Sequence, residues 1–208
     1  MPAQDNNAYT PRTERYILDT SIFSNPDVFT QFGGAFPEAI ATFTELAARA
    51  NAEFYMPGSV YDELQKVKNL GAIAADFERV VRIRSPRRLD LTVPSELLYA
   101  FIEEVRMRID RGLRIAEEWT KRAGTGGVAD IGHLITKLRE RYREAMRRGI
   151  IDSKEDADLL LLAYELDGTL VTADEGLKKW ADKAGVGLVN PKHLRRILEG
   201  LIKHNAAP

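Results

Sequence analysis

Cysteine is absent from the 208 residues of this chain. Disulfide bridges, thiolate nucleophiles and cysteine-based zinc sites are therefore excluded. Histidine is scarce, and His133, His193 and His204 lie far apart, without the spacing of a metal site. Long apolar runs are missing too, because no segment approaches the roughly 18 residues of a membrane helix. These absences predict a cytoplasmic protein with no membrane partner.

An excess of charge of either sign is also lacking. The 30 lysines and arginines nearly balance the 31 acidic residues, so the net charge of -1 does not by itself indicate a nucleic-acid partner. The basic residues are nevertheless clustered. Five arginines and no acid lie between Arg79 and Arg88, and six bases face two acids between Lys137 and Arg148. This pattern fits an anionic polymer bound at defined patches.

The order of apolar and polar segments predicts an α/β fold. We expect a first strand at Tyr16–Asp19, a helix over residues 35–50, and a second strand at Glu53–Met56 that Pro57 ends. A strand, a helix and a strand in succession imply a right-handed crossover and a parallel sheet. Residues 72–83 are expected to be helical, and further strands are predicted at 170–172 and 187–189.

Two long helices are predicted between the second and third of these strands. Apolar residues recur at three- and four-residue steps from Pro94 to about Arg122, and again from Val128 to about Arg148. The glycines between the helices are typical of a turn, because no strand precedes them and no Gly-Lys-Ser/Thr follows, as a phosphate loop requires. We therefore expect a helical hairpin at residues 93–149, inserted into a discontinuous core of residues 14–92 and 150–204.

Four aspartates are placed to meet at one edge of the predicted sheet. Asp19 and Asp174 each follow a short apolar strand, while Asp152 and Asp156 lie at the start of a helix for which Ser153 and Asp156 form the N-cap pair. Converging carboxylates are costly unless a divalent cation neutralises them. Without cysteine or clustered histidine, the oxygen ligands favour Mg²⁺ or Mn²⁺ over zinc. Such a site suits hydrolysis of a phosphodiester.

Other polar residues near these strands have more than one interpretation. The hydroxyls of Thr20 and Ser21 can hold Asp19 or a phosphate, or simply form a turn. Ser59 is expected to cap the next helix. Glu63, one turn into that helix, is either an additional ligand or orienting carboxylate, or a solvated side chain.

The second hairpin helix contains arginines at every fourth position, namely Arg139, Arg143 and Arg147. Guanidinium groups about 6 Å apart on one face can contact successive phosphates of a nucleic acid. Glu140 and Glu144 could instead pair with neighbouring bases and leave an ordinary solvated face. The spacing alone does not decide between these two interpretations.

Several motifs together carry a resemblance to a known family. Leu18-Asp19-Thr20-Ser21, Met56-Pro57-Gly58-Ser59-Val60 with Glu63-Leu64, Asp156 before Leu159–Ala163, and Val171-Thr172-Ala173-Asp174 resemble the PIN-domain nucleases. From about Tyr16 to Ile202, including the inserted helices, the chain is similar to the protein-only ribonuclease P of bacteria and archaea related to the Aquifex enzyme. Some members of that family are labelled RNA ligase partner proteins. The segments that carry this closer similarity are Phe54–Pro57, Val81–Arg88, Gly112–Glu118, Asp152–Leu162 and Tyr164–Gly168.

The resemblance implies a PIN-like α/β domain with a central parallel sheet flanked by helices, and a metal-dependent endonuclease. Its members remove the 5′ leader from precursor tRNA without an RNA subunit. The family's catalytic and metal-binding aspartates correspond to Asp19, Asp152, Asp156 and Asp174, with Glu63 and Asp158 as candidates for outer positions. The arginine stripe of the hairpin would hold the tRNA, and the inserted helices would assemble the chain into a large homo-oligomer.

Two other functions are consistent with parts of the pattern. A toxin-type PIN ribonuclease would cut mature tRNA or ribosomal RNA, but such toxins are usually shorter and lack a long hairpin. A non-enzymatic RNA-binding partner of a ligase would carry a vestigial acidic site. Retention of all four aspartates favours an enzyme over such a partner.

Overall fold

A five-stranded parallel sheet forms the centre of the computed structural model, which describes residues 13–68, 70–125, 131–147, 151 and 153–205. The order across the sheet is β3-β2-β1-β4-β5, and every neighbouring pair is parallel. The predicted α/β class is confirmed. The strands are β1 (Glu14–Leu18), β2 (Ala52–Met56), β3 (Val81–Ile83), β4 (Thr169–Val171) and β5 (Gly187–Val189).

Helices surround this sheet, and none of those in the described ranges is long and apolar enough to cross a membrane. Short 3-10 turns at Gly71–Ile73 and Pro191–His193 precede two of them. The α-helices are α1 (Ser21–Ser24), α2 (Pro26–Phe29), α3 (Phe36–Arg49), α4 (Gly58–Val67), α5 (Ala74–Val80), α6 (Ser95–Thr125), α7 (Ile131–Arg147), α8 (Lys154–Leu166), α9 (Glu175–Lys183) and α10 (Leu194–Asn205).

The core explains why such short strands are stable. Ile17 and Leu18 are fully buried, as expected for a parallel sheet covered by helices. Phe43 of α3 packs edge-on against Phe23 and Phe54, with ring centroids 5.1 and 5.9 Å away. Helix α8 packs against β1, β4 and α4. The buried side chains of the strands and of the helices that cover them hold the carboxyl ends of the strands in place. The polar residues of the candidate site follow these ends.

The strand order reverses at the border between β1 and β4. The chain builds β1, β2 and β3 on one side and then returns to add β4 and β5 on the other. Leu18 is in register with Val171, and the backbone N–H of Asp19 donates to the carbonyl of Val171 at 3.2 Å. In open α/β sheets, ligands bind outside the carboxyl ends of the strands at such a reversal.

Two local predictions are wrong. Residues 72–83 are not one helix, because α5 ends at Val80 and Val81–Ile83 forms the edge strand β3 beside β2. The β-branched residues in this stretch favour a strand, but three residues are too few to show a period. Ser59 does not cap α4, which begins one residue earlier and has no side-chain cap. Its hydroxyl donates to Asp158 instead.

The two helices between β3 and α8, namely α6 and α7, pack tightly against each other and form the hairpin. A Cβ atom on Gly112 would lie only 2.7 Å from the ring of Tyr142 and 2.9 Å from Met146, so the close approach requires glycine. Both helices begin and end within a few residues of the predicted bounds. Of the turn predicted at residues 124–127, Gly124 and Thr125 instead lie in the last turn of α6, whereas Gly126 and Gly127 lie outside the described ranges.

The first turns of α6 fasten the hairpin to the core. Glu104 accepts hydrogen bonds from Arg108 of the same helix at 2.6 Å and from Lys179 of α9 at 3.2 Å. One turn earlier, Phe101 lies 6.1 Å from the ring of Trp180 on α9. The hairpin is thus fastened to the helix that follows β4.

Candidate active site

Asp19 stands at the carboxyl end of β1 and is almost fully buried. Its Oδ2 atom accepts hydrogen bonds from the hydroxyls of Ser21 and Thr172, both at 2.6 Å. Its Oδ1 atom has a longer contact, 3.4 Å, with the hydroxyl of Thr20. The expected contact between the Thr20–Ser21 hydroxyls and this carboxylate is therefore present, and it fixes the orientation of Asp19.

Asp174 lies beside Asp19 because β4 ends next to β1. Its Oδ1 atom caps α9 by accepting from the backbone N–H of Leu177 at 2.7 Å. Its own N–H donates to the hydroxyl of Thr172 at 3.0 Å. Since Thr172 also donates to Asp19, one hydroxyl group connects the two aspartates.

The first turn of α8 supplies Asp156. The hydroxyl of Ser153 accepts from the backbone N–H of Asp156 at 2.9 Å, which confirms the predicted N-cap pair. An acidic side chain in this first turn interacts favourably with the helix dipole. Asp152, also predicted as a ligand, lies outside the described residues.

These side chains meet in one cleft of about 470 Å³ at the carboxyl edge of the sheet. Of the residues predicted for the site, Asp19, Asp156, Asp174 and Glu63 line it. The remaining lining residues include Ser59, Lys66 and Glu155, none of which was predicted to belong to the site from the sequence. The lining residues are Asp19, Thr20, Ser21, Ser59, Val60, Glu63, Lys66, Ser153, Glu155, Asp156, Leu159 and Asp174.

The cleft has an excess of negative charge, with five carboxylates against one lysine among its described lining residues. Burial raises the pKa of Glu63, and the nearby charges of Asp19 and Glu155 raise it further. Lys66 lowers this pKa only in part. Carboxylates that repel one another in this way are stabilised by a cation.

The donor atoms suit a hard cation, because the described lining offers carboxylate and hydroxyl oxygens but no imidazole or thiolate. Within the described ranges, however, no three acidic or histidine side chains are grouped so as to hold a metal ion. Mg²⁺ needs few protein ligands at one time, since it keeps several of its waters. The residues therefore fit such an ion chemically.

Asp158 does not line the cleft. It is 3% exposed and accepts hydrogen bonds from Arg88 Nε at 3.0 Å and from Ser59 Oγ at 2.7 Å. Because Ser59 lines the cleft, Asp158 touches the site through that hydroxyl. The contact with Arg88 joins residues 70 positions apart, so no local sequence signal could have indicated it.

Arg139 and Arg143 are exposed on α7, and neither forms an ion pair with any residue in the described ranges. The two intervening acids pair elsewhere, Glu140 with Lys137 at 3.0 Å and Glu144 with Arg141 at 3.9 Å. Within the described ranges, neither acid forms an ion pair with Arg139 or Arg143. The side chain of Arg147 is outside the description.

The parallel sheet and the acidic cleft at its point of reversal define a nuclease of the PIN class, and the family of PINc domain ribonucleases matches residues 15–203. Three curated relatives carry the name RNA-free ribonuclease P. The protein of Nitrosococcus oceani is 64% identical, covering 90% of this chain and 96% of its own length. That of Halorhodospira halophila is 58% identical and covers 90% of each chain. The Pyrococcus abyssi protein is 40% identical, covering 91% of this chain and 93% of its own.

This chain belongs to the RNA-free ribonuclease P family of PIN-domain endoribonucleases. The resemblance expected from the sequence motifs is thereby confirmed. The match extends over the inserted helices as well as the sheet.

Proposed function

We propose that this chain removes the 5′ leader from precursor tRNA by hydrolysing one phosphodiester bond, and leaves a 5′-phosphomonoester on the tRNA. It does so without an RNA subunit. The observation that carries this proposal is the acidic cleft at the β1–β4 border, in a chain of which 90% aligns with a relative named RNA-free ribonuclease P. Since the sequence lacks cysteine and a membrane helix is not expected, we place the activity in the cytoplasm.

The proposed cofactor is Mg²⁺, with Mn²⁺ as an equivalent. PIN nucleases generally depend on divalent metal ions, and the carboxylate oxygens of this cleft suit either ion. Asp19, Asp152, Asp156 and Asp174 are the proposed ligands and catalytic residues. When bound, the ion supplies charge neutralisation at the phosphodiester and a more acidic water.

The protein's own contribution is to hold these oxygens in place. Ser21 and Thr172 restrain Asp19, and the N-terminus of α9 restrains Asp174. Preorganised groups need not reorient when charge develops in the reaction. Glu63 and Asp158 are assigned outer positions, because Glu63 lines the cleft and Asp158 reaches it through Ser59.

We propose that the hairpin binds the body of the tRNA. Arg139, Arg143 and Arg147 repeat at one helical turn, and the first two are exposed and unpaired within the described ranges. Folded RNA is recognised mainly through its shape and its backbone phosphates. Precursor tRNAs differ in sequence but share one folded shape, so contacts between these arginines and backbone phosphates suit them as substrates.

We further propose that copies of this chain assemble through the hairpin. Of the thirteen large apolar side chains that are exposed in the described ranges, ten lie on α6 or α7. Leu98, Ile102, Ile109 and Leu113 recur at four- and seven-residue steps, which place them on one face. Substituting Ile109 by Asp should reduce the molar mass measured by light scattering. The control Leu188→Asp, at an exposed apolar residue of β5, should leave it unchanged.

The activity is tested with the purified protein and a precursor tRNA carrying a 5′ leader, in Mg²⁺ and in EDTA, with the product ends mapped. A single cut at the mature 5′ end, present only with the metal, supports the proposal. Cuts elsewhere or in mature tRNA would indicate a toxin-type nuclease. Binding without any cut would indicate a non-catalytic partner protein.

A further inference from the structure

The segment after β3 contains three arginines that neither the cleft nor the hairpin uses. We call residues 84–88 the arginine loop. Arg84 and Arg87 both donate to the carboxylate of Glu165, and Arg87 does so through Nε at 2.9 Å and its backbone N–H at 2.7 Å. Arg88 donates to Asp158. Two acids of α8 thus hold three arginines in place.

The acids lie inside and the guanidinium groups lie outside. The side chains of Glu165 and Asp158 are 2% and 4% exposed, whereas those of Arg87 and Arg88 are 66% and 59% exposed. Arg87 uses only its backbone N–H and Nε toward described residues, so the donors of its two terminal nitrogens have no protein partner there. Three cations against two carboxylates also leave one positive charge in excess.

Such an arrangement favours a phosphate ligand over a merely structural role for every arginine. A guanidinium whose orientation is already fixed loses little entropy when it binds an oxyanion, and its planar fork matches phosphate oxygens. A purely structural role would need only the donors that reach the buried carboxylates of Glu165 and Asp158. It does not account for the 66% exposure of the Arg87 side chain, whose contacts with Glu165 use only Nε and the backbone N–H.

The arginine loop is on the opposite side of the cleft from the hairpin's attachment. The N–H of Arg84 donates to the carbonyl of Met56 at the carboxyl end of β2, and Arg88 reaches the cleft through Asp158 and Ser59. The hairpin is attached to α9, which follows β4. In the sheet order, β1 and its Asp19 lie between these two sides.

We propose that the arginine loop binds the phosphodiester backbone of the 5′ leader, with Arg87 as its main contact. This inference rests on the proposed function. An RNA whose folded body lies on the hairpin and whose scissile bond lies at Asp19 continues toward β2 and β3. The strand that continues there is the leader, and its phosphates meet the exposed guanidinium groups.

The test compares precursor tRNAs with a long leader, with a one-nucleotide leader, and mature tRNA. Binding is measured in EDTA, so that no cleavage occurs, and cleavage is measured in Mg²⁺. Arg87→Ala should weaken binding of the long-leader precursor by about three- to tenfold and lower its salt slope by about 0.7. Binding of mature tRNA and of the short-leader precursor should stay at the parental value. Arg87→Lys, which keeps the charge, should retain most of the salt slope.

Arg79→Ala is the matched control. It removes one exposed arginine from the same basic segment, but from α5, before β3, where Arg79 faces Asp76 at 3.9 Å. The control should not change the effect of leader length. Equal losses for long-leader and mature tRNA, or no loss at all, would overturn the inference while leaving the proposed function intact. Failure of the parental protein to cut at the mature 5′ end would overturn both.

Discussion

The hydroxyl of Thr172 donates a 2.6 Å hydrogen bond to Asp19 across the border between β4 and β1. The same oxygen accepts from the N–H of Asp174. Thr172 is completely buried, so its hydroxyl has no water to replace these partners. Because Thr172 directly follows β4, its hydroxyl ties the positions of Asp19 and Asp174 to the pairing of β4 with β1.

Replacing Thr172 by Val should lower cleavage by about ten- to a hundredfold, as is usual for residues that orient metal ligands. The free energy of unfolding should fall by about 2 kcal/mol, because Asp19 loses a buried partner. Single-turnover cleavage and urea unfolding measure the two effects. Thr172→Ser keeps the hydroxyl and should stay close to the parental protein in cleavage. Equal loss in both variants would mean that packing, not the hydroxyl, is what matters.

Asp156→Asn should abolish cleavage while folding and tRNA binding persist. The change removes a proposed ligand at the start of α8 but keeps the hydrogen bond from the backbone N–H of residue 156 to Ser153, so α8 should still form. Cleavage and binding are measured on the same precursor. Asp182→Asn, in the last turn of α9, serves as the control and should cleave normally. Parental turnover by Asp156→Asn in Mg²⁺ would contradict the assignment.

Mg²⁺ should stabilise the folded protein as well as support cleavage. At a hundred times its dissociation constant, a ligand that binds only the folded state adds about 2.7 kcal/mol, or roughly 5–10 °C in melting temperature for a chain of this size. Thermal unfolding with and without the ion measures this. Asp19→Asn should lose most of the shift, and Asp182→Asn should keep it. An undiminished shift in Asp19→Asn would place the ion elsewhere.

The ion pair that fastens α6 to α9 should make stability depend on pH. Burial raises the pKa of Glu104, but the hydrogen bonds and charges of Arg108 and Lys179 lower it below the ordinary 4.5. Since the folded-state pKa is depressed, the stabilisation is complete above about pH 4.5 and is lost as the pH falls through the folded-state value.

Glu104→Gln should therefore flatten the acid side of the stability curve and cost about 3 kcal/mol near pH 7, because it removes the buried carboxylate that pairs with Arg108 and Lys179. Urea unfolding between about pH 3 and pH 7 measures both changes. Glu103→Gln, an exposed neighbour on α6, should retain the parental curve. Parallel curves for parent and Glu104→Gln would exclude this pair as the source.

The double variant Arg139→Ala/Arg143→Ala should weaken tRNA binding and reduce the slope of log affinity against log salt by about 2, one phosphate contact for each arginine. The matched control is Lys137→Ala/Arg141→Ala on the same helix. It removes the same charge from residues that pair with Glu140 and Glu144. A similar slope change in both variants would show that net charge, not the stripe, determines affinity.

Much of the site could be predicted because its signals are local. A short apolar strand followed by Asp marks both Asp19 and Asp174, and Ser153 three residues before Asp156 marks the start of α8. The hydroxyls around Asp19 are likewise adjacent to strand ends. Local patterns of this kind survive in the sequence because each is set within a few residues.

The rest depends on contacts between distant segments. The sequence pattern does not predict β3, because three residues show no period and the pairing with β2 decides their structure. The local sequence predicts a capping role for Ser59, but its partner Asp158 lies 99 positions away. The contacts of Arg87 and Arg88 with α8 also join residues 70 or more positions apart. Contacts of this kind are decided by how distant segments pack together, so they cannot be predicted from the sequence of any one segment.

The attachment of the hairpin has a consequence for how the family could diverge. Glu104 and Phe101 fasten α6 near its start, and Gly112 brings the end of α7 back beside it. Among the residues that the structure describes, none at the far ends of these two helices lines the cleft. Whole turns could therefore be added to or removed from the tips of both helices while the carboxylates stay in place. The length of the hairpin and the chemistry of the cleft can therefore evolve separately.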